Sequence, residues 1–350
     1  MRKQKLSIYV VALIVVFILL GEYVYLYYPQ QSMPNGEPIA VITIDSAKYH
    51  NDCLHPCIRY DATTGNYYMA QSPYYGWDNK VENPMYYESD NYKIWKEGTL
   101  VADTPEKGYN SDPNIAIGTN GEIVYLWREC STRLCDSLGC VNATVGGKMN
   151  NGYLSDKQVF ITNKQSHIDI EQCPILIEHD SVYYIYAAWY EYEPIRRNLG
   201  VAIWKSVSLE NPNFQLIDTI HFKSIYTCDK AVQIRLFGRT CFLPKSQYHD
   251  LWHFDLFEYK NKLYMVSVAE KGDNIMLSVT DDWKHFKTIR KPLINNHYSE
   301  NYSGYRQYYY KPTAFVKEDT LHLFYTANAK EDSNRNQLFH TSVSIHAIIK

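Results

Sequence analysis

One two-strand pattern returns five times along this chain, and a chain built that way has few folds open to it. The first copy runs from His55-Pro56 to Tyr60, turns through a glycine and continues from Tyr67 to Gln71. The second spans Asp112-Pro113 to Ile117 and Ile123 to Trp127, and the third Cys173-Pro174 to Ile177 and Val182 to Tyr186. The fourth spans His253 to Phe257 and Leu263 to Val266, and the fifth Lys311-Pro312 to Val316 and Leu321 to Tyr325. β-Branched and aromatic residues fill each run, and a short polar turn joins the two runs of a pair, which is the pattern of a β-hairpin. Proline opens the first strand in four copies, where its missing N–H costs little.

The equivalent positions Pro56, Pro113, Pro174, Phe254 and Pro312 lie 57, 61, 80 and 58 residues apart, and the long interval marks an insertion around residues 206–250. A period of about 60 residues holding strand pairs, with no amphipathic helical run, predicts propeller blades rather than a solenoid. Five copies predict five blades. A second motif, Ser89-Asp90 leading to Trp95 and Thr280-Asp281 leading to Trp283, reads as a polar turn that locks an outer hairpin. A β-sandwich with chance internal similarity is the competing all-β fold.

Composition is that of a folded chain: 45% hydrophobic, 21% charged and 33 tyrosines in 350 residues. The net charge of −3 and the lack of any Lys/Arg run past residue 5 exclude a nucleic-acid groove. Residues 1–28 read as a cytoplasmic stub and signal-anchor helix, because the basic start Met1-Arg-Lys-Gln-Lys5 precedes an apolar run from Leu6 to Leu20. Tyr23, Tyr25, Tyr27 and Tyr28 follow like an interfacial aromatic belt, and no small-residue cleavage pair follows Leu20. A cleaved signal peptide is the alternative. The expected arrangement is a single pass through the bilayer by residues 6–28, a linker over 29–40, and a propeller over 41–350 outside the cytoplasm. Eight cysteines then lie in an oxidising compartment, where Cys228–Cys241 and Cys135–Cys140 are the easiest local disulfides. Cys57 and Cys173 fall inside apolar strands and read as buried thiols.

The chain resembles the five-bladed propeller superfamily that contains glycoside hydrolase families 43, 32 and 68. The resemblance rests on His55-Pro56, Glu82-Asn83-Pro84, Ser111-Asp112-Pro113, Arg128-Glu129 and Trp252-His253-Phe254-Asp255, in that order, and covers most of residues 40–350. It implies a carbohydrate partner and a carboxylate-based glycosidase. In family 43 a first-blade Asp acts as base, a second-blade Asp tunes the acid and a third-blade Glu is the acid. Only the second of these transfers cleanly, onto Asp112. His55 stands at the base position, and Glu171 lies three residues before the third-blade proline, where that family more often has its Glu two before.

In a propeller the innermost strands surround one axis, so their starts converge. His55, Asp112, Gln172 or Cys173, His253 and Lys311 hold that place, and convergent titratable groups in a concavity mark a candidate site. The catalytic candidates are Asp112, Glu82, Glu129, Glu171 and His55. Arg128, His253, Asp255, Lys311 and Trp77 are the candidates for binding substrate, and Tyr74, Tyr75, Trp127 and Trp189 could also stack on sugars. No metal or cofactor is predicted, because no C-x-x-C or nearby His pair has ligand spacing. Related propellers hold an axial Ca²⁺, but no dense acidic loop argues for one here. The expected function is glycoside hydrolysis of a furanose-containing or complex polysaccharide. Its rivals are a non-catalytic glycan-binding propeller and a membrane-bound protein scaffold.

Overall fold

The structure, a computed structural model, describes residues 33–349 except 167–170, 192–196, 223, 237–238, 250, 270–273, 290–291, 296–308 and 330, together with Val15 and Val16. Side chains of 165–172, 190–199, 223–250 and 269 also lie outside the described residues. Each sequence repeat opens one antiparallel sheet. Blade one orders its strands Cys57–Tyr60, Tyr67–Gln71, Met85–Ser89 and Thr99–Leu100 from the axis outward. Blade two begins at Tyr109–Ile117, blade three at Glu171–His179, blade four at Leu251–Tyr259 and blade five at Thr313–Lys317. The expected five-bladed propeller is the fold observed.

Five apolar clusters hold the blades together, one at each seam. Cys57, Ala70 and Tyr86 of blade one meet Ile115, Tyr125 and Trp127 of blade two. Equivalent clusters join blades two and three, three and four, four and five, and five and one. Strand residues alternate sides, so one set of side chains in each blade packs on each neighbour. Burial of large apolar residues on both faces, such as Trp127 and Trp204, is what closes the ring.

Ring closure also uses a segment that the sequence reading assigned to the linker. Glu37–Ile39 pairs antiparallel with Asn336–Ser344, Glu37 opposite His340, and becomes the outermost strand of blade five. Three residues with one buried apolar side chain carry no periodic signal, so a strand there is not readable from pattern alone. The insertion before blade four is a long hairpin of Ser224–Leu236 and Arg239–His249. Both outer-hairpin turns are as predicted. Ser89 Oγ caps the Ile94 carbonyl at 2.5 Å ahead of buried Trp95, and Asp282 Oδ1 accepts from Thr280 Oγ1 at 2.7 Å beside Trp283.

Cys57 and Cys173 are buried thiols, as expected, and Cys135 is one too. The predicted Cys135–Cys140 disulfide is therefore not formed; Cys135 Sγ instead lies 3.4 Å from the Glu129 carbonyl oxygen inside a helical turn, Arg133–Leu138. The side chains of Cys228 and Cys241 lie outside the described residues, and so does the predicted membrane span apart from Val15 and Val16. Among the described residues no helix is long and apolar enough to cross a membrane.

Candidate functional site

The innermost strands of blades two and three open on a β-bulge. Register shifts between Ser111 and Asn114 and between Gln172 and Ile175, and the residue before each proline, Asp112 or Cys173, takes a left-handed φ of 50° or 54°. The bulge absorbs the proline that cannot join the ladder. It also turns the Asp112 side chain toward the axis, where non-glycine residues held in this backbone region are a mark of functional sites.

Around that carboxylate the structure gathers His55, Arg128 and His253. Asp112 Oδ2 accepts from Arg128 Nε at 3.0 Å and faces Nη2 at 2.9 Å. Its other oxygen, Oδ1, stands 3.6 Å from His55 Nε2 and 3.7 Å from His253 Nδ1. All four side chains are buried. Burial alone would raise the Asp112 carboxyl, but Arg128, then His55, His253 and Lys311, hold it well below the usual carboxylate range. Burial pushes His253 far below its ordinary value against the pull of Asp112, so the ring is neutral at pH 7.

His55 has partners on its far side. Its Nδ1 lies 2.9 Å from Ser72 Oγ and 3.1 Å from Glu82 Oε1, and the same Glu82 oxygen accepts from Ser111 Oγ. Glu82 is buried, which raises its carboxyl despite the opposing contact with His55. A carboxylate and a hydroxyl on one ring nitrogen fix ring orientation and favour a proton on Nδ1, leaving the Nε2 lone pair for the axis. Tyr310 packs against both imidazoles, at 5.3 Å from His55 and 4.5 Å from His253, with Trp252 at 5.0 Å from Tyr310.

The remaining candidates divide. Lys311, fully buried, donates from Nζ to the Pro113 carbonyl at 2.9 Å and so holds the bulge from below. Asp255 sits further along the axis, where Arg59 Nη1 and Nη2 grip it at 2.6 and 2.7 Å and Thr313 Oγ1 donates at 2.5 Å. It is a structural anchor with no contact to the Asp112 cluster among those observed. Glu129 follows Arg128 on the same strand and therefore leaves by the other sheet face. Its Oε2 accepts from Thr132 Oγ1 at 2.8 Å, Lys157 pairs with Oε1, and it lines a cavity with Asp103, Lys107 and Asn110. Trp77 is half exposed on a loop, while Trp127 is fully buried packing. The Glu171 side chain lies outside the described residues. Ser72 and Tyr310 were missed; Tyr310 could have been found one residue before the fifth strand start.

The cluster also brings metal-ligating groups together. One ligand atom from each of His55, Asp112 and His253 lies within 4.8 Å of the others. Asp112 Oδ1 and both His253 nitrogens are buried with no hydrogen-bond partner. Buried polar atoms are nearly always partnered, so the orphaned Asp112 Oδ1 and the one lone pair of the neutral His253 ring, together with a nitrogen of His55, fit a bound divalent cation. Two imidazoles and a carboxylate suit Zn²⁺, Mn²⁺ or a similar ion better than Ca²⁺, which takes oxygen ligands.

No protein-family model matches the chain, and no curated protein matches it. Solved structures do. An N-acetylgalactosamine deacetylase from F. plautii, in complex with blood group B trisaccharide, superposes with a TM-score of 0.62 at 12% identity, over 91% of this chain and 97% of that one. At this identity the likeness is one of fold, a five-bladed β-propeller. An α-L-arabinofuranosidase from Lactobacillus brevis is similar at TM-score 0.55 and 11% identity, covering 83% of this propeller chain and 90% of its own. A GH43 β-xylosidase/α-arabinofuranosidase from a compost metagenome gives 0.55 and 11%, covering 89% and 94%.

Proposed function

We propose that this propeller is a divalent-cation-dependent hydrolase that removes an acyl substituent from a glycan, with His55, Asp112 and His253 as the protein ligands. The observation that carries the reading is the set of orphaned lone pairs on Asp112 and His253 facing a third ligand on His55. A cation held there would acidify a bound water and polarise a carbonyl oxygen. Arg128 keeps Asp112 ionised, burial keeps His253 neutral, and Glu82 with Ser72 orients His55. Tyr310 packs on both imidazoles and Trp252 packs on Tyr310.

Glycosidic cleavage needs two carboxyl groups on opposite faces of the scissile bond with room between them. Here the His55 imidazole fills the space between Glu82 and Asp112, and Glu129 faces elsewhere. That geometry favours attack on a carbonyl, the chemistry named for the F. plautii structure. Glycoside hydrolysis, with the raised Glu82 as acid, is the second reading, supported by the arabinofuranosidase-like fold. The basic start and apolar run of residues 1–20 support a membrane-tethered form with the propeller outside the cytoplasm; carbonate extraction and protease accessibility of the full chain test it.

The deciding experiment measures bound metal, and then acetate and reducing-end release from N-acetylated and O-acetylated oligosaccharides before and after chelation. One divalent ion per chain, and acetate release lost with EDTA, restored by the metal and absent in Asp112→Asn and His253→Ala, is the expected result. Reducing ends released in EDTA would move the assignment to the glycosidase. A wild-type protein that binds no divalent ion overturns the proposal.

A further inference from the structure

We infer that the loop carrying Glu82 also carries a stacking subsite, centred on Trp77, for a sugar ring beyond the reacting unit, so that the substrate is an oligomeric glycan. The inference rests on the glycan reading above. Of seven tryptophans, Trp77 alone is exposed, at 48%; Trp95, Trp127 and Trp204 are buried, and Trp189, Trp252 and Trp283 are part-buried. An exposed indole in a chain that buries or half-buries its six others needs a reason.

The loop is built to hold the ring in that position. Trp77 ends a 3₁₀ turn over Tyr75–Trp77, and both Gly76 and Trp77 take left-handed φ values, 64° and 63°. Glycine adopts this conformation freely, but a bulky residue rarely does. Four ties over-determine it. Tyr74 N donates to Asp52 Oδ2 at 2.6 Å, Gly76 N to the Asn334 carbonyl at 3.1 Å, and the Tyr74 hydroxyl to Asn79 Oδ1 at 2.6 Å. The Tyr75 ring lies flat on His50, 3.7 Å between centroids. Tyr74 and Trp77 then pack as a T-shaped pair, 5.6 Å between centroids at 83°, and about half of the Trp77 surface stays in solvent. Strain kept in place by surrounding contacts is a property of ligand clamps.

Continuity with the reacting centre identifies the occupant. The strand that precedes the loop ends at Gln71, Ser72 contacts His55, and the loop closes at Glu82, which contacts the same imidazole. The loop that bears Trp77 thus begins and ends on contacts to His55, and the inferred ligand would run from Trp77 toward His55, Asp112 and His253. The C–H face of a pyranose or furanose is apolar, and indole offers a rigid apolar plane at low entropic cost. Asp78, Asn79 and Lys80, all exposed beside it, supply the polar groups that sugar hydroxyls need.

The test uses the full chain and three probes, blood group B trisaccharide, β-1,3-galactotriose and xylotriose, each against its constituent monosaccharides. Affinity is read by calorimetry and by the emission of the exposed indole. At least one trisaccharide is expected to bind more tightly than its monosaccharides and to shift Trp77 emission to the blue. Trp77→Ala should weaken that trisaccharide about tenfold, the scale of one aromatic stacking contact, and leave monosaccharide and cation affinity unchanged. Trp77→Phe should keep most of the affinity. Equal trisaccharide binding by wild type and Trp77→Ala, or no trisaccharide preferred over its monosaccharides, overturns the subsite. Failure of the hydrolase reading looks different: Trp77-dependent binding persists while no metal is bound and no acetate is released.

Discussion

Asp112 is committed on one side and open on the other, and this division explains most of what surrounds it. Arg128 takes one oxygen; the second meets two imidazoles at distances too long for hydrogen bonds. Residues that only position the cluster should behave differently from its members. Glu82→Gln keeps a hydrogen-bonding group on His55 but removes the charge. It should lower cation affinity about 10–100-fold without abolishing it, as partners of metal-bound histidines do, measured by chelator competition. Asp255 belongs to another class. Its carboxylate is fully buried and gripped by the part-buried Arg59 guanidinium, so Asp255→Ala should destabilise the fold by about 3 kcal/mol in urea titration, the low end for a broken buried pair. The double replacement Arg59→Met, Asp255→Leu should recover much of that loss, since no buried charge is then left unpaired.

At the scale of strands, close backbone approach sets what the blades tolerate. Gly146 lies on Asn142–Asn150 opposite Leu126, and a Cβ there would meet the Tyr125 carbonyl oxygen and reach Leu126 Cα at 2.9 Å. Gly146→Ala should cost about 1–3 kcal/mol of stability by overpacking, with activity per folded molecule unchanged; urea midpoints and active-site titration check the two halves. Strand starts are what the sequence shows best. His55, Asp112, His253 and Lys311 occupy equivalent places in the repeat, and equivalence alone predicts that they meet. Which way a neighbour faces is less legible. Alternation says that Arg128 and Glu129 part company, but not which of the two faces Asp112. The cluster of His55, Asp112 and His253 is invisible to spacing motifs because its members stand 57 and 141 residues apart on three blades. Glu37–Ile39 stayed hidden for the opposite reason, being too short to show a period.

The whole molecule is a ring, and a ring is as stable as the seam where its ends meet. That seam is in blade five, where Glu37–Ile39 adds to Asn336–Ser344 and places Glu37 opposite His340. Beneath it His322 Nδ1 and His340 Nε2 lie 3.1 Å apart, packed among Phe315, Phe324 and Tyr92. Burial lowers both histidines from 6.5 to about 4, helped by Lys317 at His322 and by His322 and Lys93 at His340. A depressed folded pKa means that the unfolded chain binds protons first as the pH falls. The pair's contribution is thus complete above pH 6.5, shrinks as the pH drops, and is gone below about 4. Protonation of both rings at this distance also sets like charges against each other inside the closing blade. Melting temperature should fall between pH 6.5 and 4, and the slope should be shallower by up to about two protons in the His322→Gln, His340→Gln double variant. Hydrogen exchange should locate the early loss in Glu37–Ile39 and Asn336–Ser344, ahead of blades one to four. Uniform loss of protection across all five blades would show instead that acid acts on the ring as a whole and not on its closure.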